Sequence, residues 1–183
     1  MEKIKQKYTV ESICDKENVE FVFFWGHRKS KSITKSCFSQ WYDRGFVIEG
    51  IRYNCAEQYM MAQKAKIFGD EEIFEMILKN EDPKEIKALG RKVRGYDPAV
   101  WDENKFSVVY EGSYAKFTQN DDLKEFLLST DGKILVEASP YDKIWGIGLR
   151  QGSEGIEDPK NWKGTNLLGF ALTQVRDDIL GNK

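Results

Sequence analysis

The succession of apolar and polar positions divides the chain into a few elements. Phe21-Val22-Phe23-Phe24-Trp25 is a compact apolar run ending at Gly26, the pattern of a buried strand. Phe46-Val47-Ile48 and Ile51-Arg52-Tyr53 flank Glu49-Gly50 and predict a hairpin with a two-residue turn. Helix signals dominate from there. Asn54 stands as an N-cap with Glu57 three residues on, the spacing of a capping box, and Gly69 closes that helix. Asp70–Lys79 predicts a short helix. Asp82-Pro83 opens another, running to about Lys92, and Asp97-Pro98 opens a longer one, Ala99 to about Thr118. Asn120–Ser129 predicts a further helix and Lys133–Glu137 a second strand. The stretch 139–164, built around Trp145 and Trp162, reads as an ordered loop. Thr165–Leu180 closes the series as an amphipathic helix, with Leu168, Ala171, Leu172, Val175 and Ile179 on one face. Residues 1–18 are charged and aperiodic and predict a loosely ordered segment. Residues 19–183 then form one domain, mainly α with a small β-sheet, an α+β fold.

Two charged residues break this pattern. On the helix that starts after Asn54, Met60, Met61, Ala65, Ile67 and Phe68 share an apolar face, and Glu57 and Lys64 sit in its middle, two turns apart. Tyr59 and Lys66 take the opposite side. A carboxylate and an ammonium in a core-facing stripe are costly unless paired or lining a cleft. Local explanations exist, since Glu57 can serve the cap and Lys64 can carry its head to solvent along its alkyl stem. The other explanation is a polar cleft in which the carboxylate handles protons. On the long helix, Lys105 and Lys116 lie close to the stripe of Trp101, Val108, Gly112 and Ala115, where a lysine can reach a phosphate or merely edge a solvated seam. The loop Glu137–Gly148 mixes aromatics, Asp142 and glycines, a composition that suits a pocket wall.

Composition narrows the classes. The 28 Lys and Arg nearly balance 30 Asp and Glu, for a net charge of −2, which does not suit a bulk electrostatic binder of nucleic acid. No apolar run is long enough to span a membrane, and the first residues lack the apolar core of a secretory signal. Cys14, Cys37 and Cys55 are odd in number and widely spaced, and with one histidine they form no evident zinc set. Free thiols in a reducing cytoplasm are the expected state. Neither a metal nor a cofactor is expected. Phosphate-binding, nucleophile-elbow and zinc-protease motifs are missing, and the glycines of 146–152 do not have dinucleotide-loop spacing.

Several stretches together resemble the NADAR domain family, the YbiA-like N-glycosidases. They are Ile48–Tyr53, Ala56–Tyr59 through Ala62–Ala65, Leu89-Gly90-Arg91, Trp101, and Ala115-Lys116-Phe117 followed by Gln119-Asn120. Leu135–Asp142 with Trp145-Gly146, and Gly164–Gly169, complete the set, so that the resemblance runs from Phe23 to Leu180. No piece is diagnostic alone; their order and spacing are specific. Two departures, the long segment Lys29–Ser39 after Phe24-Trp25-Gly26-His27 and the insertion-like loop 149–163, are expected to border the pocket and to bear on the choice of substrate.

The resemblance implies hydrolysis of a bond between a ribose C1′ and a nitrogen, in phosphorylated ribosylaminopyrimidines of riboflavin synthesis or in ADP-ribose attached to guanine. It implies a small nucleotide-like substrate as partner, with ADP-ribosylated nucleic acid as a second class. A catalytic glutamate maps onto Glu57, and a tryptophan and an aspartate map onto Trp101 and Asp142. Glu57 is then expected as base or charge stabiliser with Asp142 as its partner, and Lys64 as a competing amine nucleophile. Trp101 and Trp145 are expected as stacking walls and Arg91, Lys105 and Lys116 as phosphate contacts. Trp25, Gly26, Gly146 and Asn166 complete the expected binding set. A domain that binds such nucleotides without cleaving them would use the same aromatics and lysines, but a binder of an anion gains little from a buried anion at Glu57.

Overall fold

The computed structural model describes residues 3–16, 18–28 and 30–181. Lys29 of the basic loop, and Met1, Glu2 and Glu17 of the N-terminal stretch, lie outside the described residues. The elements run α1 (Val10–Cys14), β1 (Glu20–Phe24), β2 (Phe46–Ile48), β3 (Ile51–Tyr53), α2 (Ala56–Ile67) and α3 (Glu71–Leu78). They continue with α4 (Pro83–Gly90), α5 (Pro98–Thr118), α6 (Asp121–Leu128), β4 (Lys133–Glu137) and α7 (Leu167–Leu180). Short 3-10 turns cover Lys35–Phe38 and Pro159–Asn161. The fold is α+β, with the strands arranged as two separate pairs. The chain divides into two compact units. One is Gln40–Asn120 with the first residues up to Ile4; the other is Lys5–Ser39 with the chain from Asp121 onward.

In the first unit β2 and β3 form an antiparallel hairpin with Ile48 opposite Ile51. Glu49 and Gly50 both have positive φ, 51° and 77°, the backbone that a two-residue hairpin turn demands. The Tyr59 ring packs edge to face with Phe46 and with Tyr53, the latter at 5.0 Å and 89°. Helix α2 packs against α3, α4 and α5 and is buried on nearly every side of its first two turns. Tyr59, expected on the solvent side, is therefore buried. Its ring lies where a Cβ at Gly112 of α5 would fall, and its hydroxyl donates to Glu111 at 2.5 Å. The expected capping box is also corrected. Cys55 is the N-cap, Glu57 is the second helical residue, and the side chain of Gln58 accepts from the Asn54 N–H at 2.7 Å. Gln58 also donates to the carbonyls of Ile77 and Asn80, tying α2 to the end of α3. Asp82 and Asp97 cap α4 and α5 just before their prolines, as the sequence predicts.

In the second unit β1 and β4 pair in parallel, Glu20 with Lys133 through Phe24 with Glu137. The run Phe21–Trp25, expected as a buried strand, is mostly half-buried: Phe24 is the fully buried member, and Trp25 lies past the strand end, half exposed. The other edge of β4 is covered by α7 side chains in place of a third strand. The Leu135 N–H donates to Thr173 Oγ1, the Glu137 N–H donates to Asn166 Oδ1, and Asn166 Nδ2 donates to the Leu135 carbonyl. Buried donors and acceptors on that edge are thus satisfied. Helix α7 is buried from Leu168 to Asp177, more completely than one amphipathic face predicts. Ile134, Val136, Ala138, Ile147, Ile156 and Phe170 make the core here, and Ile13 joins them.

Ile13 belongs to α1, an ordered helix within the segment expected to be loosely ordered. Thr9 and Ser12 form a reciprocal capping box, and the Lys7 N–H donates to Gln174 of α7. A helix of five residues leaves too short a trace for periodicity to register. The Tyr8 hydroxyl donates to Asp177, which also accepts from the buried Arg176. Burial, then the bond to Asp177 and its charge, push the Tyr8 phenol up to about 12. An unfolded phenol ionises near ~10. The contribution of Tyr8 to stability is therefore complete below about pH 10 and is lost as pH rises through that value toward 12. Melting curves across that window should fall less steeply for Tyr8→Phe than for wild type, and equal slopes would assign the alkaline loss to other groups.

Candidate active site

The first unit gathers two polar clusters along α2. At its N-terminal end Glu57 is 2% exposed, and its N–H donates to the Gln40 carbonyl at 2.9 Å. The positive end of the helix favours an anion in this first turn. Lys116 of α5 is 1% exposed, with Nζ 5.5 Å from the Tyr42 ring and 5.2 Å from the Phe117 ring. Glu57 and Lys116 both lie close enough to act on the Cys55 thiol. Burial pushes that thiol up and the Glu57 charge adds to the rise, while the Gln58 N–H and the Lys116 charge oppose it. A buried carboxylate and a buried ammonium therefore share one small region, with Gln40, Tyr42 and Cys55 around it.

The second cluster lies two turns further along α2. Lys64 Nζ sits 4.2 Å from the Tyr96 ring centroid and 5.8 Å from that of Trp101. Burial lowers the Lys64 pKa, and the positive charge of Arg91 at the end of α4 lowers it further. A lowered pKa raises the share of neutral, nucleophilic amine. Trp101 is buried in the first turn of α5, while Arg91 and Tyr96 are exposed. Lys105 is half-buried and bonded to Asp102 at 2.7 Å, three turns of helix away from Lys116. The lysines of α5 thus serve different places.

In the second unit the parallel pairing sends the segments after β1 and β4 out from the same end of the strands. Trp25 and Tyr141, 51% and 82% exposed, approach with ring centroids 6.2 Å apart and tilted by 52°. Gly26 follows with φ of 84°. Asp142 is a turn former: its Oδ1 accepts from the N–H of Ile144 at 2.9 Å and of Trp145 at 2.7 Å. Gly146 is packed so closely that a Cβ would lie 2.8 Å from the Glu137 carbonyl. Asn166 is 0% exposed, with both amide atoms engaged on β4. Gly146 and Asn166, expected to touch substrate, are packed against the loop and β4. Trp145 is half-buried, its carbonyl accepting from the Leu168 N–H at the start of α7.

Of the expected residues, Glu57, Lys64, Arg91, Trp101, Lys105 and Lys116 lie in the first unit, and Trp25, Gly26, Asp142, Trp145, Gly146 and Asn166 in the second. Gln40, Tyr42 and Tyr96 were not singled out by sequence. Nothing periodic marks them, and only the aromatic company of Gln40 in Gln40-Trp41-Tyr42 gives a signal. Among the described residues no group of three or more His, Cys, Asp and Glu could hold a metal, and no helix is long and apolar enough to cross a membrane.

A buried acid at a helix start, near a buried lysine and aromatic rings, is an arrangement that suits proton transfer. The NADAR domain model matches residues 23–180, and the chain belongs to that family. N-glycosidase R617 of Acanthamoeba polyphaga mimivirus is 45% identical over 168 residues, 88% of this chain and 98% of that protein. The NMR structure of the E. coli protein YbiA superposes with a TM-score of 0.71 at 27% identity, covering 98% of this chain and 94% of that one. Riboflavin biosynthesis protein PYRR of Zea mays is 38% identical over 105 residues, which are 55% of this chain and 15% of that protein. With its N-glycosidase relatives at up to 45% identity, the chain is an enzyme of that class.

Proposed function

We propose that this N-glycosidase hydrolyses the C1′–N bond of a phosphorylated ribosylaminopyrimidine, with Glu57 as the general base. The observation that carries the reading is the burial of the Glu57 carboxylate at the start of α2. A charge held out of water at such a cost is kept where it does chemistry. The likeness to a protein named for riboflavin biosynthesis supports this substrate class. In the reaction, water adds its oxygen to C1′ and the C1′–N bonding pair leaves with the nitrogen. Glu57 takes one proton from the water and later releases it, while the departing nitrogen takes one up from solvent. The carboxylate also stabilises positive charge that builds on the ribose ring as the bond opens. Lys116 and Arg91 supply cations for the phosphate, and Trp101 offers a ring face. Asp142 acts by holding its loop in shape.

A second candidate substrate with the same class of bond is ADP-ribose linked to guanine. The experiment is a panel of both glycosides with wild type, analysed by chromatography. Free base plus a sugar phosphate or ADP-ribose supports hydrolysis, and an unchanged ligand that nonetheless binds would make the domain a binding module.

Direct attack by water predicts that borohydride added during turnover traps no adduct on Lys64. Seven residues of α2 separate Lys64 from Glu57, about 10 Å along the axis, so the carboxylate is poorly placed to serve an imine there. A mass increment on the peptide carrying Lys64 would move the nucleophile to that amine.

A further inference from the structure

Gln40 carries a polar group that the mechanism has not used. Its side chain is 8% exposed, and among the described residues its Nε2 is buried without a hydrogen-bond partner. A buried amide donor without an acceptor destabilises a fold, so such a group persists where something else selects for it. The backbone brings the two residues together at the start of α2, because the Gln40 carbonyl accepts the Glu57 N–H. The donor therefore belongs to the residue that holds the first turn of α2 and with it the base.

We propose that Gln40 is a further catalytic residue, whose Nε2–H donates to the water that Glu57 deprotonates. A water attacking C1′ must give a proton to the carboxylate while one lone pair points at carbon. Its second lone pair is left to accept, and an amide N–H is a donor that does not compete for the proton. With both contacts made, the water is oriented before the bond to nitrogen breaks, and the reaction gains from that orientation. The inference rests on the reading of Glu57 as base.

The test compares Gln40→Met, which keeps length and loses the donor, with wild type and Glu57→Gln on the ribosylaminopyrimidine phosphate and the ADP-ribosyl guanosine. Gln40→Met should fold with a melting temperature at or above wild type, because a buried unpaired donor has been removed. Its kcat should fall by roughly 10–100-fold with KM changed by less than about 3-fold. In added methanol, the ratio of methyl glycoside to hydrolysis product should shift, since the donor that orients the attacking oxygen at C1′ is gone. A purely structural role for Gln40 would leave that ratio unmoved. Gln40→Leu provides the same readouts if the methionine variant fails to fold. Unchanged kcat and methanol ratio would overturn the inference, and so would a raised KM at constant kcat, which would place the amide on the substrate. If wild type turns over and Glu57→Gln is inactive while Gln40→Met matches wild type, the assignment of Gln40 alone fails. If wild type cleaves neither glycoside, the proposed substrates fail and the assignment falls with them.

Discussion

Glu57→Gln lowers turnover at least ~100-fold while the far-UV spectrum and a cooperative melting transition are retained. The amide has almost the shape of the carboxylate, so the packing around α2 is undisturbed, but it can neither accept a proton from water nor face a developing cation with a full charge. The neighbourhood makes this a demanding test. Lys116 is buried in the same region, and neutralising its companion charge leaves that ammonium less compensated. A moderate fall in melting temperature is consistent with that, and kcat measured on the folded variant separates it from lost chemistry. A folded variant that turns over at near wild-type rate would remove Glu57 from the reaction.

Gly169→Ala produces the largest loss of stability. A Cβ there would lie 2.2 Å from the Leu135 carbonyl oxygen and 2.4 Å from Asn166 Oδ1. The first is backbone of β4 and the second is committed to the Glu57-independent bonding of the strand edge, so neither can yield without breaking the β4–α7 contact. The expected cost is about 3 kcal/mol, or a drop of about 10 °C in a chain of this size. Gly90→Ala is the control. Its Cβ would meet the Met61 side chain, mainly the flexible sulfur end, and methionine repacks readily. Thermal melts should rank the two far apart; equal losses would show that α7 can shift on β4.

What the sequence discloses depends on how local the cause is. The turn at Glu49-Gly50 and the caps at Asp82 and Asp97 are legible because turn and cap chemistry act over a few residues. The start of α2 is misread because Asn54 suits an N-cap by residue type whereas Cys55 makes no side-chain cap bond, and the choice is made by Gln58 reaching back to Asn54 and by Gln40 meeting the Glu57 N–H. The burial of Tyr59 depends on Gly112, more than fifty residues on. At the site, Glu57 and Lys116 stand out as charges within apolar stripes. Gln40 is neutral and in no periodic element, so its only trace in the sequence is its aromatic company in Gln40-Trp41-Tyr42. Asp142 shows the opposite limit: an acid in an aromatic loop looks alike in sequence whether it moves protons or, as with the amides of Ile144 and Trp145 here, accepts the bonds of a turn.

The parallel pairing of β1 with β4 joins segments 113 residues apart in the chain, with the whole of Gln40–Asn120 between them. During synthesis the first strand must wait, its hydrogen-bonding edge unmatched, until its companion emerges. The intervening stretch meanwhile can close on itself, since Arg44 and Gly45 near its beginning bond to Asn120 at its end. Contacts of such long span are slow to form. Maturation of this protein should therefore be vectorial, the helical insert condensing early and the split remainder last, with Phe21 and Phe23 open to chaperones in the interval.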